Sequence, residues 1–217
     1  MKELPDITIQ RMSQFLSTEH FTLQGMRSTT VSEANGRSGT FLSAVGSGLV
    51  ALALVAQLSE AGQVFVTFSL IIFPILIFLG ITTSIRLIQV GVTDVLLIQA
   101  INRIRHYYLE VTPEAARYFS YPHYDDPDGI RHALLPFGLG NEQFAGAAVQ
   151  VAAINSFLCG VFASILAAGL FSITLTPAIV VGLVVMVVVI GLHARYGAAL
   201  QRSFKEHMEI RFPTPGV

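Results

Sequence analysis

The placement of basic residues constrains the fold of this chain more than any other feature of its sequence. All 13 Lys and Arg residues fall into three stretches, and the two long apolar stretches between them contain none. The basic residues are Lys2, Arg11, Arg27, Arg37, Arg86, Arg103, Arg105, Arg117, Arg131, Arg195, Arg202, Lys205 and Arg211. Because membrane proteins keep positively charged loops on the cytoplasmic side, this pattern predicts that both termini and the central region are cytoplasmic.

Composition and segment length favour a membrane protein with four crossings. Of the 217 residues, 53% are hydrophobic and 12% are charged, and the mean hydropathy is +0.63, which is outside the usual range of soluble domains. Four apolar segments approach or exceed the roughly 20 residues that a transmembrane helix needs. They are residues 41–58, 64–85, 147–171 and 178–192. The sequence therefore predicts an all-α polytopic membrane protein whose four transmembrane helices form two hairpins with helical cytoplasmic extensions.

The same segments divide the chain into five regions. These are a cytoplasmic N-terminal helical region (1–40), transmembrane hairpin 1 (41–85), a cytoplasmic helical region and loop (86–146), transmembrane hairpin 2 (147–192) and a cytoplasmic C-terminal tail (193–217). The first 40 residues are too polar for a secretory signal. We expect the cell (inner) membrane as the location.

Several helices are expected to continue beyond the apolar segments. No helix breaker follows Arg86 until Thr112 and Pro113, so one helix is predicted from about residue 64 to 111. Segment four is predicted to start at Thr176 and Pro177 and to continue to Met208. An N-terminal helix leads into segment one, and Thr30 with Glu33 fits a capping box. Turn-forming residues predict an irregular loop over 121–141, after which Asn141 caps the third long helix.

The centres of the four segments contain no Asp, Glu, Lys, Arg or His. Such side chains mark proton relays and coupled ion sites, so their absence from the sequence counts against a proton-driven transporter and a membrane-embedded protease. Small residues recur every four positions in segments one and three, which favours close helix packing. The pore or helix-packing candidates are Ser47, Asn155, Ser156 and Gly160. Packing within one subunit, a subunit interface and a pore lining all remain open for them.

Basic side chains supply the candidates for binding an anion or a lipid head group. These candidates are Arg37, Arg86, Arg103, Arg105 and Arg195. A guanidinium makes paired hydrogen bonds to phosphate, and neighbouring tyrosines offer a stacking face. The alternative is structural: salt bridges with Asp94, Glu110 or Glu114 for the central cluster, and snorkelling at the membrane edge for the others.

No metal site or cofactor is expected. The weak metal candidates are His123, Asp125, Asp126, Asp128 and His132. The run from Asp126 faintly resembles a calcium loop, but Phe137 stands where that loop needs a bidentate Glu. A solvated turn is the favoured interpretation of these residues. Cys159 is the only cysteine of the chain, so no disulfide can form within it.

Function is the least determined property of the sequence. The leading hypothesis is a homo-oligomeric channel or pore-like protein without coupled-transport chemistry, whose partners are the lipid bilayer and further copies of itself. The alternative is a non-conducting scaffold or signalling component that docks a cytoplasmic protein through an exposed patch around Tyr107, Tyr108, Tyr118 and Phe119. An enzyme is not expected, since only the weak metal candidates support one. A net charge of −1 gives no reason to expect nucleic acid as a partner.

Overall fold

The structure is a computed structural model that describes residues 6–60, 62–134, 146–171 and 173–215. Those residues form helices and connections, with no strand among them. The helices are α1 (Asp6–Leu58), α2 (Gln63–Val111), a 3₁₀ helix (Pro113–Tyr118), α3 (Pro127–Leu134), α4 (Ala147–Leu170) and α5 (Leu175–His207).

Helices α1, α2, α4 and α5 are long and apolar enough to cross a membrane. This confirms the predicted all-α class for the described residues and the four predicted helices of membrane-spanning length. Between 11% and 33% of the most apolar window of each helix is buried inside the chain. Most of that apolar surface therefore needs lipid or another protein as its neighbour.

The predicted helix lengths agree with the observed ones at most boundaries. Helix α2 runs unbroken to Val111, and α5 continues to His207. The predicted breaker at Thr112 and Pro113 ends α2, and a 3₁₀ helix follows it, to which Thr112 makes no side-chain cap hydrogen bond.

Two local predictions are wrong. Thr30 does not start a helix, because α1 is continuous through it and its Oγ1 donates to the carbonyl of Arg27 at 2.8 Å. Residues 121–134 are not wholly irregular, because Pro127–Leu134 forms α3, with the Ile130 N–H donating to the Asp126 carbonyl at 3.0 Å. The predicted cap Asn141 lies outside the described residues.

The chain divides into two compact units. The polar unit contains the described residues of 1–33, 90–140 and 205–217, and the apolar unit contains those of 34–89 and 141–204. Helices α1, α2 and α5 each contribute residues to both units.

Aromatic and aliphatic side chains of α1, α2 and α4 fill the core of the apolar unit. Phe73 stacks on Phe162 with ring centroids 5.4 Å apart. Phe41, Val151 and Leu158 are almost completely buried in the same cluster. This stacking places the N-terminal part of α2 directly against α4.

The polar unit has two smaller apolar clusters. Leu23 of α1 packs with Leu97, Ile101 and Ile104 of α2. Ile98 packs with Ile130 and Ala133, which belong to α3. These clusters place α1, α2 and α3 around a common space, which is described below.

Candidate functional site

One face of α1 carries small and hydroxyl side chains that stay exposed in the apolar unit. We call it the α1 face; it consists of Gly36, Gly39, Thr40, Ser43, Gly46 and Ser47. A Cβ atom added at any of its three glycines would have no heavy atom within 4 Å. The pore candidate Ser47 lies on this face, where it lines a shallow groove with Ser43 and Gly46.

Helix α5 presents a different surface. Its exposed side chains are large and aliphatic: Ile179, Val180, Val181, Leu183, Val184, Val187, Val188, Ile190 and Leu192. Such a surface matches lipid chains in chemistry, whereas the α1 face leaves backbone and hydroxyl groups close to the surface. The α1 face and the α5 surface therefore differ in chemistry, although α1 also exposes Leu42, Leu49, Val50 and Leu54, and the last two line the groove beside Ser47.

The small-residue stripe of α4 faces inward. Ser156 and Gly160 are buried, and a Cβ on Gly160 would lie 2.7 Å from the carbonyl oxygen of Gly182 in α5. The absence of a side chain at both glycines thus allows the two backbones to touch. The α4 stripe packs within one chain, whereas the α1 face does not.

Asn155 is the most polar residue of the α4 interior and is fully buried. A Cβ on Gly80 would lie 2.6 Å from its Cγ atom, so the side chain occupies the space that this glycine leaves. Neither atom of the Asn155 amide has a hydrogen-bond partner among the described residues. Asn155 and Ser156 are buried, whereas the third pore candidate, Ser47, is exposed.

In the polar unit, Asp125 connects α2 to the C-terminal tail, residues 208–215. Its carboxylate is completely buried and accepts a hydrogen bond from Arg103 Nε at 2.7 Å. It also accepts the backbone N–H groups of Arg211 at 3.1 Å and Phe212 at 2.7 Å. Gln99 holds the same segment, because its Nε2 donates to the carbonyls of Asp125 and Glu209.

Asp126 makes a second connection to the tail. Its Oδ1 accepts the N–H of Gly129 at 2.8 Å, at the start of α3. Its Oδ2 accepts the N–H of Thr214 at 2.9 Å, and the Thr214 hydroxyl donates to Oδ1 at 3.0 Å. The expectation that Asp125 and Asp126 lie in a solvated turn is wrong, because both are buried and hydrogen-bonded.

The other weak metal candidates are dispersed. His123 packs against Tyr124 with centroids 4.1 Å apart, Asp128 lies at the start of α3 and His132 is exposed. Within the described ranges, no group of three or more His, Cys, Asp or Glu side chains is placed to hold a metal ion.

The arginine candidates have different neighbours. Arg103 is paired with Asp125 and also donates to the Glu209 carbonyl. Arg105 lies over the Tyr121 ring, with its Cζ 5.2 Å from the centroid. Arg37, Arg86 and Arg195 are exposed and belong to the apolar unit.

Sequence reasoning missed two partners in the polar unit. Asp94 pairs with Arg27 at 2.9 Å rather than with the central arginines. The tail had no expected role, although Arg211, Phe212 and Thr214 contact Asp125 and Asp126. Glu209 contacts Gln99 of α2. Most of these contacts use backbone groups, which leave no signature in a sequence.

Burial and hydrogen bonding shift the pKa values of the groups beside the tail. Burial alone would raise the pKa of Asp125, but Arg103 and the N–H groups of Phe212 and Arg211 outweigh it and lower the pKa. The pKa of Asp126 is lowered in the same way, through Thr214 and Gly129. Burial, and then the charge of His106, lowers the pKa of His123.

We expect the polar unit to lose stability as the pH falls and the tail to detach in acid. The pKa of His123 is lower in the folded protein than the ordinary pKa of histidine, so protonation favours the unfolded chain. The stability of the folded protein therefore decreases as the pH falls below that ordinary value. The two aspartates contribute stability that is complete above the ordinary carboxyl pKa and is lost as the pH falls through their lowered values. Limited digestion with pepsin, which works in acid, measures tail release. Complete release at a pH above the ordinary carboxyl pKa would contradict this assignment.

The two units offer different chemistry. The apolar unit combines a lipid-compatible α5 surface with the small, hydroxyl-bearing α1 face. The polar unit contains a guanidinium pair and a buried carboxylate network. No protein-family model, curated protein or solved structure matches this chain.

Proposed function

We propose that this chain is the subunit of a homo-oligomeric channel or pore-like protein of the cell (inner) membrane. Its α1, α2, α4 and α5 helices cross the bilayer as two antiparallel hairpins, and the polar unit and both termini lie in the cytoplasm. It conducts without coupled transport and catalyses no reaction. The observation that carries the proposal is the exposed α1 face.

The α1 face is poorly suited to lipid. Lipid chains pack loosely against glycine positions, whereas a second helix can approach such positions closely and gain dispersion energy and interhelical contacts. One hydroxyl of this face is satisfied within the helix, since Thr40 Oγ1 donates to the Gly36 carbonyl at 2.9 Å. Each hydroxyl oxygen retains acceptor capacity, so the face also suits a water-filled path. Copies of α1 arranged around an axis would use both properties.

The orientation follows from charge. All 13 basic residues lie in the three stretches assigned to the cytoplasm, and Glu60 is the acidic residue of the first outer turn. Arg37, Arg86 and Arg195 then lie near the inner membrane surface, where their charges favour anions at the mouth of the pore. Asn155 and Ser156 support the helix packing behind the path.

A flux assay tests the proposal. Purified protein in liposomes is expected to release chloride faster than protein-free liposomes do. Ser47→Leu places a large side chain on the α1 face and should reduce the flux at least tenfold. Val187→Leu, a matched change on the exposed surface of α5, should have no effect, since Val187 is 62% exposed and faces the lipid in this arrangement. Flux equal to that of empty liposomes would refute the conducting function, and equal loss in both variants would refute the role of the α1 face.

A specific observation favours the scaffold as a second candidate. Phe15 and Phe21 of α1 are 74% and 73% exposed in the polar unit, which would place both rings in water if that unit is cytoplasmic. Of the aromatic patch expected from sequence, Tyr118 is exposed, while Tyr107, Tyr108 and Phe119 are half-buried. A photo-crosslinker at position 15 that captures a soluble protein in cells, together with absent flux in liposomes, would favour the scaffold.

A further inference from the structure

A cavity of about 580 Å³ lies within the polar unit, between α1, α2 and the segments that follow α2. Arg27, Ser28 and Ser32 of α1 line one side. Arg105 of α2 and Tyr121 line another. Apolar side chains, among them that of Ile98, complete the wall. The volume falls within the range of about 300–1,000 Å³ that is typical of small-molecule sites.

The cavity carries an excess of positive charge. Arg27 Nε donates to Asp94 Oδ1 at 2.9 Å, so this guanidinium has a carboxylate partner. Arg105 has none in the described part of the chain, since its contacts there are the amide oxygen of Asn102 at 3.2 Å and the ring of Tyr121. The two guanidinium groups of the cavity are therefore balanced by one carboxylate, which contacts Arg27. Without an anion, their mutual repulsion in a partly desolvated site is unfavourable.

Arg103, two residues from Arg105, does not contribute to this excess. It is paired with the buried carboxylate of Asp125 and donates to the tail. The structure thus separates neighbouring arginines into one that holds the tail and one that borders the cavity with donors to spare.

From these contacts we infer that the cavity binds a small molecule that carries a phosphate group. The guanidinium groups of Arg27 and Arg105 hold the phosphate oxygens, because guanidinium donors match phosphate geometry and form charge-assisted hydrogen bonds. The hydroxyls of Ser28 and Ser32 add donors at the same wall. The apolar wall and Tyr121 receive the remainder of the molecule. Inorganic phosphate alone is too small to fill this part of the cavity. This site is independent of the proposed pore.

Two sources share this chemistry, a soluble organic phosphate and a phospholipid head group. Full-length protein in phosphatidylcholine nanodiscs is titrated calorimetrically with ATP, which represents the soluble source. A second set of nanodiscs contains phosphatidylglycerol, and native mass spectrometry measures how many anionic lipids remain bound. Saturable ATP binding identifies the soluble source, and selective retention of anionic lipid identifies the membrane source. Either result supports the site if Arg105→Gln and Ser28→Leu weaken the binding.

The decisive variant is Arg105→Gln, which removes the guanidinium that lacks a carboxylate. We expect this change to weaken the binding of whichever probe binds at least tenfold, since a hydrogen bond to a charged group contributes about 1.5–3 kcal/mol. The matched control is Arg117→Gln, because Arg117 lies over Tyr118 outside the cavity and its loss changes the net charge equally. Ser28→Leu fills the cavity without changing charge and should also abolish binding. The proposal is wrong if neither probe binds, or if Arg105→Gln and Arg117→Gln weaken binding equally.

Discussion

Asp125→Ala is expected to release the C-terminal tail and to destabilise the polar unit by about 3–5 kcal/mol, the typical effect of removing one partner of a buried ion pair. The carboxylate of Asp125 is completely buried, and Arg103, its partner, has a side chain only 25% exposed. Without the carboxylate, the Nε of Arg103 and the N–H groups of Arg211 and Phe212 lose their acceptor. Each donor left without an acceptor adds a cost of about 1–3 kcal/mol where it stays buried.

Two readouts measure this release. Hydrogen exchange at the amides of Arg211 and Phe212 should accelerate, and trypsin should cut after Arg211 much sooner than in the unchanged protein. The matched control is Asp128→Ala in the first turn of α3, where loss of the charge at a helix start removes about 0.3–1 kcal/mol. Equal exchange rates in Asp125→Ala and Asp128→Ala would show that the carboxylate of Asp125 does not hold the tail.

Gly182→Ala is expected to separate α4 from α5 and to destabilise the apolar unit by at least about 1–3 kcal/mol, the usual cost of overpacking a core. The added Cβ would collide with the Ser164 hydroxyl and the Gly160 carbonyl. Ser164 can rotate, but the carbonyl is fixed by the α4 backbone, so the helices themselves must move. Thermal unfolding in detergent should show a lower midpoint.

Gly191→Ala provides the control on the same helix. A Cβ at Gly191 would meet no heavy atom within 4 Å. This change should leave the unfolding midpoint unchanged or raise it slightly. Alanine lowers the conformational entropy of the unfolded chain, which raises the free energy of unfolding by about 0.4–1 kcal/mol. Equal unfolding midpoints for the two variants would contradict the close contact of α4 with α5.

The helices of this protein could be predicted from sequence because their signals are local. Uninterrupted apolar segments set the four long helices, and the lack of a breaker between Arg86 and Thr112 extended α2 to Val111. The same locality explains the failure at Thr30. A capping box is also compatible with the interior of a helix, and nothing near Thr30 interrupts the apolar and polar pattern.

The contacts of the candidate sites could not be predicted because they join residues that are distant in sequence, several of them through backbone groups. Asp125 accepts from the N–H of Phe212, 87 residues along the chain. Arg27 pairs with Asp94 across 67 residues. The sequence identified Arg105 as an anion candidate, but only the fold distinguishes it from Arg103.

The sequence also could not show whether each small-residue stripe faces the core or the surface. The stripes of α1 and α4 have the same four-residue spacing, yet Gly160 is buried against α5 while Ser47 is exposed. Neighbouring helices decide this difference, and their arrangement depends on the whole apolar core around Phe73 and Phe162.

The mass of the particle tests the central claim, assembly through the α1 face, most directly. Native mass spectrometry of the protein in nanodiscs reports the number of 23.5 kDa chains in each particle. We predict a closed ring of three or more chains, which Ser47→Leu converts to smaller species while Val187→Leu leaves it intact. A monomer at every ratio of protein to lipid would contradict the account.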